Sequence, residues 1–261
     1  MFKGLFGKKE SKKVPRDHGS AVAEAMIARI NLPAKVFPAG TDLQAIRLFF
    51  EYEVIKGKKK GFTPILVLAE PKMDEFWEMS FSAGFSTKEI LEYETRNDGK
   101  TILDAWIKEN ESDYVREYGE PVENLIGKYS GTPTKVGLFS SVLNGNPKSP
   151  EMIIFEVPTP NPWEVFAYIP FGGWNSCPDS KQLVPVLKYW FEKYGARAIV
   201  ISRDTIEMIV PECVSGEASV ELANEQYGFC PDRVDQCTKT QTISELAACL
   251  SVSRVWYFWW D

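Results

Sequence analysis

The residue types able to do chemistry gather in the last third of the chain. Trp174, Asn175 and Cys177 lie in one glycine-rich stretch, and Cys230, Asp232, Asp235 and Gln236 lie in a second. Two carboxylates three residues apart can share acid/base work or hold a divalent cation, with Cys230 as nucleophile and Asn175 or Gln236 as donors. The same residues also have a purely structural reading. Asp232 would cap the turn after Pro231, Asn175 would bond its own loop, the cysteines would be buried, and Trp174 would fill space beside Gly172 and Gly173.

Several chemistries are excluded at once. His18 is the single histidine and stands apart from any cluster, which removes Ser-His-Asp, Cys-His and two-histidine zinc schemes unless a partner chain supplies the base. No phosphate-cradling GxxxxGK[ST] or GxGxxG run is present. The five cysteines have no CxxC spacing and read as reduced, mostly buried thiols, and a zinc shared by Cys230 and Cys237 lacks the usual ligand spacing. No cofactor or metal is expected, and a non-enzymatic role is favoured over an enzyme.

Charge is divided unevenly. Lys3, Lys8, Lys9, Lys12, Lys13 and Arg16 against Glu10 make residues 1–16 a basic arm, expected to be flexible, and they leave a net −11 on the remainder of a chain whose total is −6. An acidic body repels phosphate backbones, so nucleic-acid binding is not expected, whereas a basic protein partner fits. No apolar run is long enough to span a bilayer and no signal-peptide core follows Met1, which predicts a cytoplasmic protein without stable membrane insertion.

The elements that must position the candidate residues follow from periodicity and caps. Ser20 is expected to cap a first helix ending before Pro33. A second starts at Thr41 or Asp42 and stops at Gly57, followed by a solvated Lys58–Gly61 turn. Thr63–Ala69 reads as a strand buried on both faces, and residues 73–130 as amphipathic helices, with Ser86 and Thr242 opening capping boxes. Short strands are expected near Val136–Val142, at Met152–Val157 and at Trp163–Ile169. A helix carrying Leu183 to Tyr194 follows, with Pro185 near its first turn. A hairpin turns at Arg203-Asp204, and further helices begin near Glu217 and Thr242. The chain closes on Val255-Trp256-Tyr257-Phe258-Trp259-Trp260-Asp261, an aromatic strand whose two faces should both be covered. Asp261 adds carboxylate charge that must stay in water or meet Arg203, Arg233 or Arg254.

From residue 163 onward the chain resembles a bacterial family known as domain of unknown function 4253. The resemblance is carried by Pro162-Trp163, Phe171-Gly172-Gly173-Trp174-Asn175 with Cys177-Pro178, Trp190 with Tyr194-Gly195-Ala196, Gln226-Tyr227 with Cys230-Pro231-Asp232, Val234-Asp235-Gln236, and the terminal aromatic run. It implies no activity. It also implies a glycine after Asp235-Gln236, where this chain has Cys237.

The expected architecture is α+β: a mixed, largely antiparallel sheet with helices packed on it. Residues 17–150 read as a helix-rich α/β region and 151–261 as an α+β domain, either separate or continuous. Two functions remain open. One is a bacterial protein-binding or accessory protein, an immunity type included. The other is a small-ligand binder or enzyme using the Trp174 to Gln236 residues.

Overall fold

The computed structural model describes residues 19–143, 145–146 and 148–261; the basic arm 1–16 and His18 lie outside the described residues. Six strands, β1 (Ala34–Phe37), β2 (Thr63–Leu68), β3 (Met152–Val157), β4 (Arg197–Ile201), β5 (Thr205–Ile209) and β6 (Val255–Trp259), form one sheet in the order β1-β3-β2-β4-β5-β6. Every neighbouring pair is antiparallel except β2 and β4, which run parallel. The fold is thus the mixed, largely antiparallel α+β arrangement expected, with β3 from after residue 150 inserted between β1 and β2 from before it.

The helices are α1 (Ala21–Ile30), α2 (Leu43–Lys60), α3 (Pro71–Ser82), α4 (Thr87–Glu94), α5 (Gly99–Tyr118), α6 (Val122–Ile126), α7 (Ser140–Leu143), α8 (Val165–Tyr168), α9 (Ser180–Tyr194), α10 (Glu217–Phe229), α11 (Asp232–Asp235) and α12 (Ile243–Val252). Ser20, Asp42, Ser86, Asp98, Asp179 and Thr242 each cap one of them by accepting a first-turn main-chain N–H. None of the described helices is long and apolar enough to cross a membrane.

Alternation along the strands splits the core in two. Ile65, Val67, Ile153, Phe155, Trp256 and Phe258 face the larger layer, where α5, α9, α10 and α12 pack on one another around Trp190 and Phe229. Leu66, Leu68, Met152 and Ile154 face the other way, beneath Ile46 and Phe50 of α2 and beneath Phe139. This second cover ends before β6. Trp256, Phe258 and Trp260 are buried, but Tyr257 and Trp259 on the opposite face are only partly covered: β6 is the sheet edge, and Arg233 of α11 lies over the Tyr257 ring. The expectation that both faces of the terminal strand are covered is corrected accordingly.

Four further expectations are revised. The second helix runs through Gly57 to Lys60 and ends at Gly61, whose φ of 80° supplies the left-handed cap. Gly57 serves packing instead: a Cβ there would stand 2.2 Å from the Phe62 carbonyl oxygen. Residues 163–169 form a 3-10 turn (Pro162–Glu164) and α8 where a strand was expected. The β-prone side chains of Val165 and Phe166 are buried all the same, so burial outweighed propensity. Residues 136–142 form a loop and α7 in place of a strand. Pro185 sits inside α9 rather than in its first turn, and Gly99 at the start of α5 abuts it so closely that a Cβ would lie 2.1 Å from the Pro185 oxygen.

Candidate functional site

The two expected stretches meet at Asp261. Asn175, held at φ 46°, donates its side-chain amide to the Asp261 main-chain oxygen, and the Asp232 carboxylate accepts the Asp261 main-chain N–H at 3.4 Å. Gln236 donates to the other Asp232 oxygen at 2.6 Å. The glycine-rich loop is closed by main-chain bonds from Gly173 to Cys177 and from Cys177 to Trp174. At Gly172, with φ 77°, a Cβ would lie 1.7 Å from the Pro178 oxygen, so only glycine fits. Trp174 packs edge-on against Phe76 and Phe171, each 5.2 Å away, and the Arg203 guanidinium lies 3.9 Å from its ring centre.

Neither cysteine of the set is primed as a nucleophile. Cys177 and Cys230 are both buried, burial pushes both thiols well above their ordinary value, and Cys230 donates to the Trp259 carbonyl at 3.2 Å. A thiol held protonated reacts poorly. Cys237 has no left-handed φ and its N–H closes α11 on the Asp232 carbonyl, so the absence of the glycine implied by the resemblance leaves the backbone unstrained. Asp261 is solvent-exposed. Arg203 is stacked on Trp174, Arg233 lies 3.9 Å over the Tyr257 ring, and Arg254 donates to the Val210 carbonyl.

Asp235 points away from this junction, toward α5. Its carboxyl is pushed up to about 6, first by burial and then by the negative charges of Asp232 and Glu117. Tyr114, Tyr118 and Tyr227 all lie close enough to feel the Asp235 charge, and it raises the pKa of each. The Tyr114 and Tyr118 rings sit 5.0 Å apart, and Tyr114 donates to Glu120 at 3.3 Å. The result is a surface of acids and tyrosines in which Asp235 feels only like charge. Sequence reasoning singled out Asp232 and Asp235 but missed the α5 residues. Their signal was the spacing of Tyr114, Glu117 and Tyr118, which puts them on one helix face.

A second concavity of about 740 Å³ opens beside the uncovered face of β6. Its floor is built from Leu68 and Ser202 at the ends of β2 and β4, and its sides carry Glu70, Asp204, Tyr257 and Trp259. The 134–142 segment forms the far wall, held by Glu207, whose buried carboxylate accepts N–H groups from Phe139 and Ser141. Of the chemistry-bearing cysteines only Cys237 reaches this cleft. Nothing local marks these residues, because the sheet alone brings them together.

Among the described residues no three His, Cys, Asp or Glu side chains cluster tightly enough to hold a metal ion. No curated protein and no solved structure matches the chain. A family model described as a domain of unknown function (DUF4253) matches residues 153–261, the part that carries β3 to β6, the glycine-rich loop and the Asp261 junction, as the spaced aromatic and Cys-Pro-Asp motifs implied.

Proposed function

We propose that the protein is a non-enzymatic binding protein of the bacterial cytoplasm, of accessory or immunity type, that captures a basic protein partner on the surface shared by α5 and α11. The observation that carries this reading is the arrangement of Asp232, Asp235 and Glu117 beside the paired rings of Tyr114 and Tyr118. Carboxylates crowded together without a counter-charge are unfavourable in the free protein, and an incoming arginine or lysine relieves that repulsion. Tyrosine faces add cation–π attraction of about 0.5–2 kcal/mol for each cation they meet. Val115 and Tyr118 are 42% and 58% exposed, which supplies apolar contact beside the charge. The net −11 outside the basic arm steers such a partner toward the body. Protonated buried thiols and a lone histidine agree with a role that involves no catalysis.

Fluorescence anisotropy with an arginine-rich peptide and its citrulline counterpart tests the reading. The arginine peptide should bind in a salt-sensitive manner, and the double substitution Glu117→Gln with Asp235→Asn should weaken it by roughly tenfold or more. Equal binding of the citrulline peptide, or no loss in the double variant, would sink it.

A further inference from the structure

The cleft beside β6 is a separate matter from the acidic tyrosine surface. In open α/β sheets ligands sit outside the carboxyl ends of parallel strands, and the one parallel pair of this mixed sheet offers the equivalent position. β2 and β4 are the parallel pair here, and Leu68, Glu70, Ser202 and Asp204 lie at or just beyond their carboxyl ends. The volume of about 740 Å³ suits a small organic molecule.

The chemistry of the lining narrows its class. Asp204 accepts the hydroxyls of Ser202 and Thr205 on one oxygen, both at 3.0 Å, and among the described residues no donor reaches its second oxygen. Glu70 accepts the Arg203 main-chain N–H at 2.9 Å on one oxygen, and its other oxygen likewise receives no donor from the described residues. Each carboxylate is therefore fixed by the protein through one oxygen and offers the other to a ligand hydroxyl. Burial and the neighbouring Asp204 charge raise the Glu70 pKa against the opposing pull of Arg203 and Lys72, and Lys135 stands exposed on the opposite wall, so the cleft carries charge of both signs rather than carboxylates alone. Lys135 is a donor to hydroxyl oxygens across from the acceptors.

The aromatic side completes the pattern. Register pairs Thr205 with Trp259 and Glu207 with Tyr257 across β5 and β6, which sets both rings on the cleft face. Arg233 already covers one face of Tyr257, whereas Trp259 is part-exposed and stacks on no other ring among the described residues. An indole face presented next to carboxylate acceptors and an amine donor suits a molecule with one C–H face and a hydroxyl rim. We propose that this cleft binds a neutral saccharide of one or two rings, stacked on Trp259 with its hydroxyls shared between Asp204, Glu70 and Lys135.

The test is isothermal titration of the full chain with D-glucose, D-galactose, D-ribose, maltose and lactose, repeated with spermidine and arginine. Two variants report on the site. At Gly137, on the cleft wall, an added Cβ meets nothing within 4 Å, so Gly137→Trp places a large side chain at the cleft without a clash at the backbone. Asp204→Asn keeps an acceptor for Ser202 and Thr205 while removing the charge. At least one saccharide should bind saturably and weaken by about tenfold or more in each variant, with melting temperatures close to that of the parent. No saturable saccharide binding, saccharide binding unaffected by Gly137→Trp, or Gly137-sensitive binding of spermidine or arginine alone would each overturn the proposal. The arginine-peptide surface is untouched by either variant, so failure here leaves the reading of that surface to its own test.

Discussion

The carboxylate of Glu207 is fully buried and accepts the main-chain N–H of Phe139 at 2.7 Å. It also takes the N–H of Ser141 at 2.9 Å and the Ser141 hydroxyl, so a single side chain on β5 anchors the whole 137–141 turn. Phe139 adopts φ 67° to meet it, which no strand would tolerate. Glu207→Ala would leave the buried Phe139 N–H unpaired at about 1–3 kcal/mol, with a smaller cost at the part-buried Ser141 N–H. A loss of about 2 kcal/mol in urea denaturation is expected, with a smaller loss for Glu207→Gln. Stability unchanged in the alanine variant would show that the turn is held by something else.

Gly57 gives a test in which two rules point opposite ways. In an exposed helix, glycine to alanine gains about 1 kcal/mol from propensity. At Gly57 the new methyl would stand 2.2 Å from the Phe62 oxygen, in the chain reversal where the Phe62 N–H returns to the Gly57 carbonyl. Overpacking of about 1–3 kcal/mol should win, so Gly57→Ala is expected to lower the melting temperature. A rise would show that the α2–β2 connection yields freely.

The terminal strand carries a large share of the core. Trp256, Phe258 and Trp260 are at most 1% exposed and pack on Trp190, Phe229 and Phe171. Losing one large buried aromatic costs about 3–5 kcal/mol, and total stabilities run near 5–15 kcal/mol. Removing residues 255–261 is therefore expected to abolish cooperative unfolding in calorimetry. A soluble, cooperatively melting fragment would contradict the placement of β6.

Asp235 links stability to function. Its carboxyl titrates near 6 in the folded chain against an ordinary 3.8, so the native state holds that proton more tightly than the unfolded state does. The penalty is fully present above about pH 6 and is relieved as pH falls through 6 toward 4. Asp235→Asn removes it. After discounting for partial exposure, a gain of about 1 kcal/mol at pH 7 is expected, vanishing below about pH 4. The same variant should lose affinity for a basic peptide, the trade expected where a binding surface is held in an unfavourable charge state. Equal stability of parent and variant across that pH range would remove the argument.

What the sequence made legible was local. The caps at Ser20, Ser86 and Thr242, the buried run at Thr63–Leu68 and the hairpin at Arg203-Asp204 depend on neighbours a few residues away and stand in the structure. The expected capping boxes, however, form only by their hydroxyl half: Glu245 accepts from Thr240, and among the described residues Glu89 accepts nothing from the Ser86 N–H. The 136–142 segment depends on Glu207 and Gly57 on Phe62, and no periodicity encodes such partners. The site divides in the same way. Asn175 and Asp232 stood out because they sit beside Trp174 and Cys230 in the chain, whereas Glu117 and Tyr118 reach Asp235 only through the packing of α5 against α10 and of α10 against α11.

The most direct measurement of the central claim is the pKa of the Asp235 carboxyl, followed by carbon-detected NMR with and without an arginine-rich peptide. In the free protein it should titrate near 6. With peptide bound, the arriving cations should draw it down by about one unit or more toward the ordinary carboxylate range. A value near 4 in the free protein, or one unmoved by saturating peptide, would contradict capture of a basic partner on this surface.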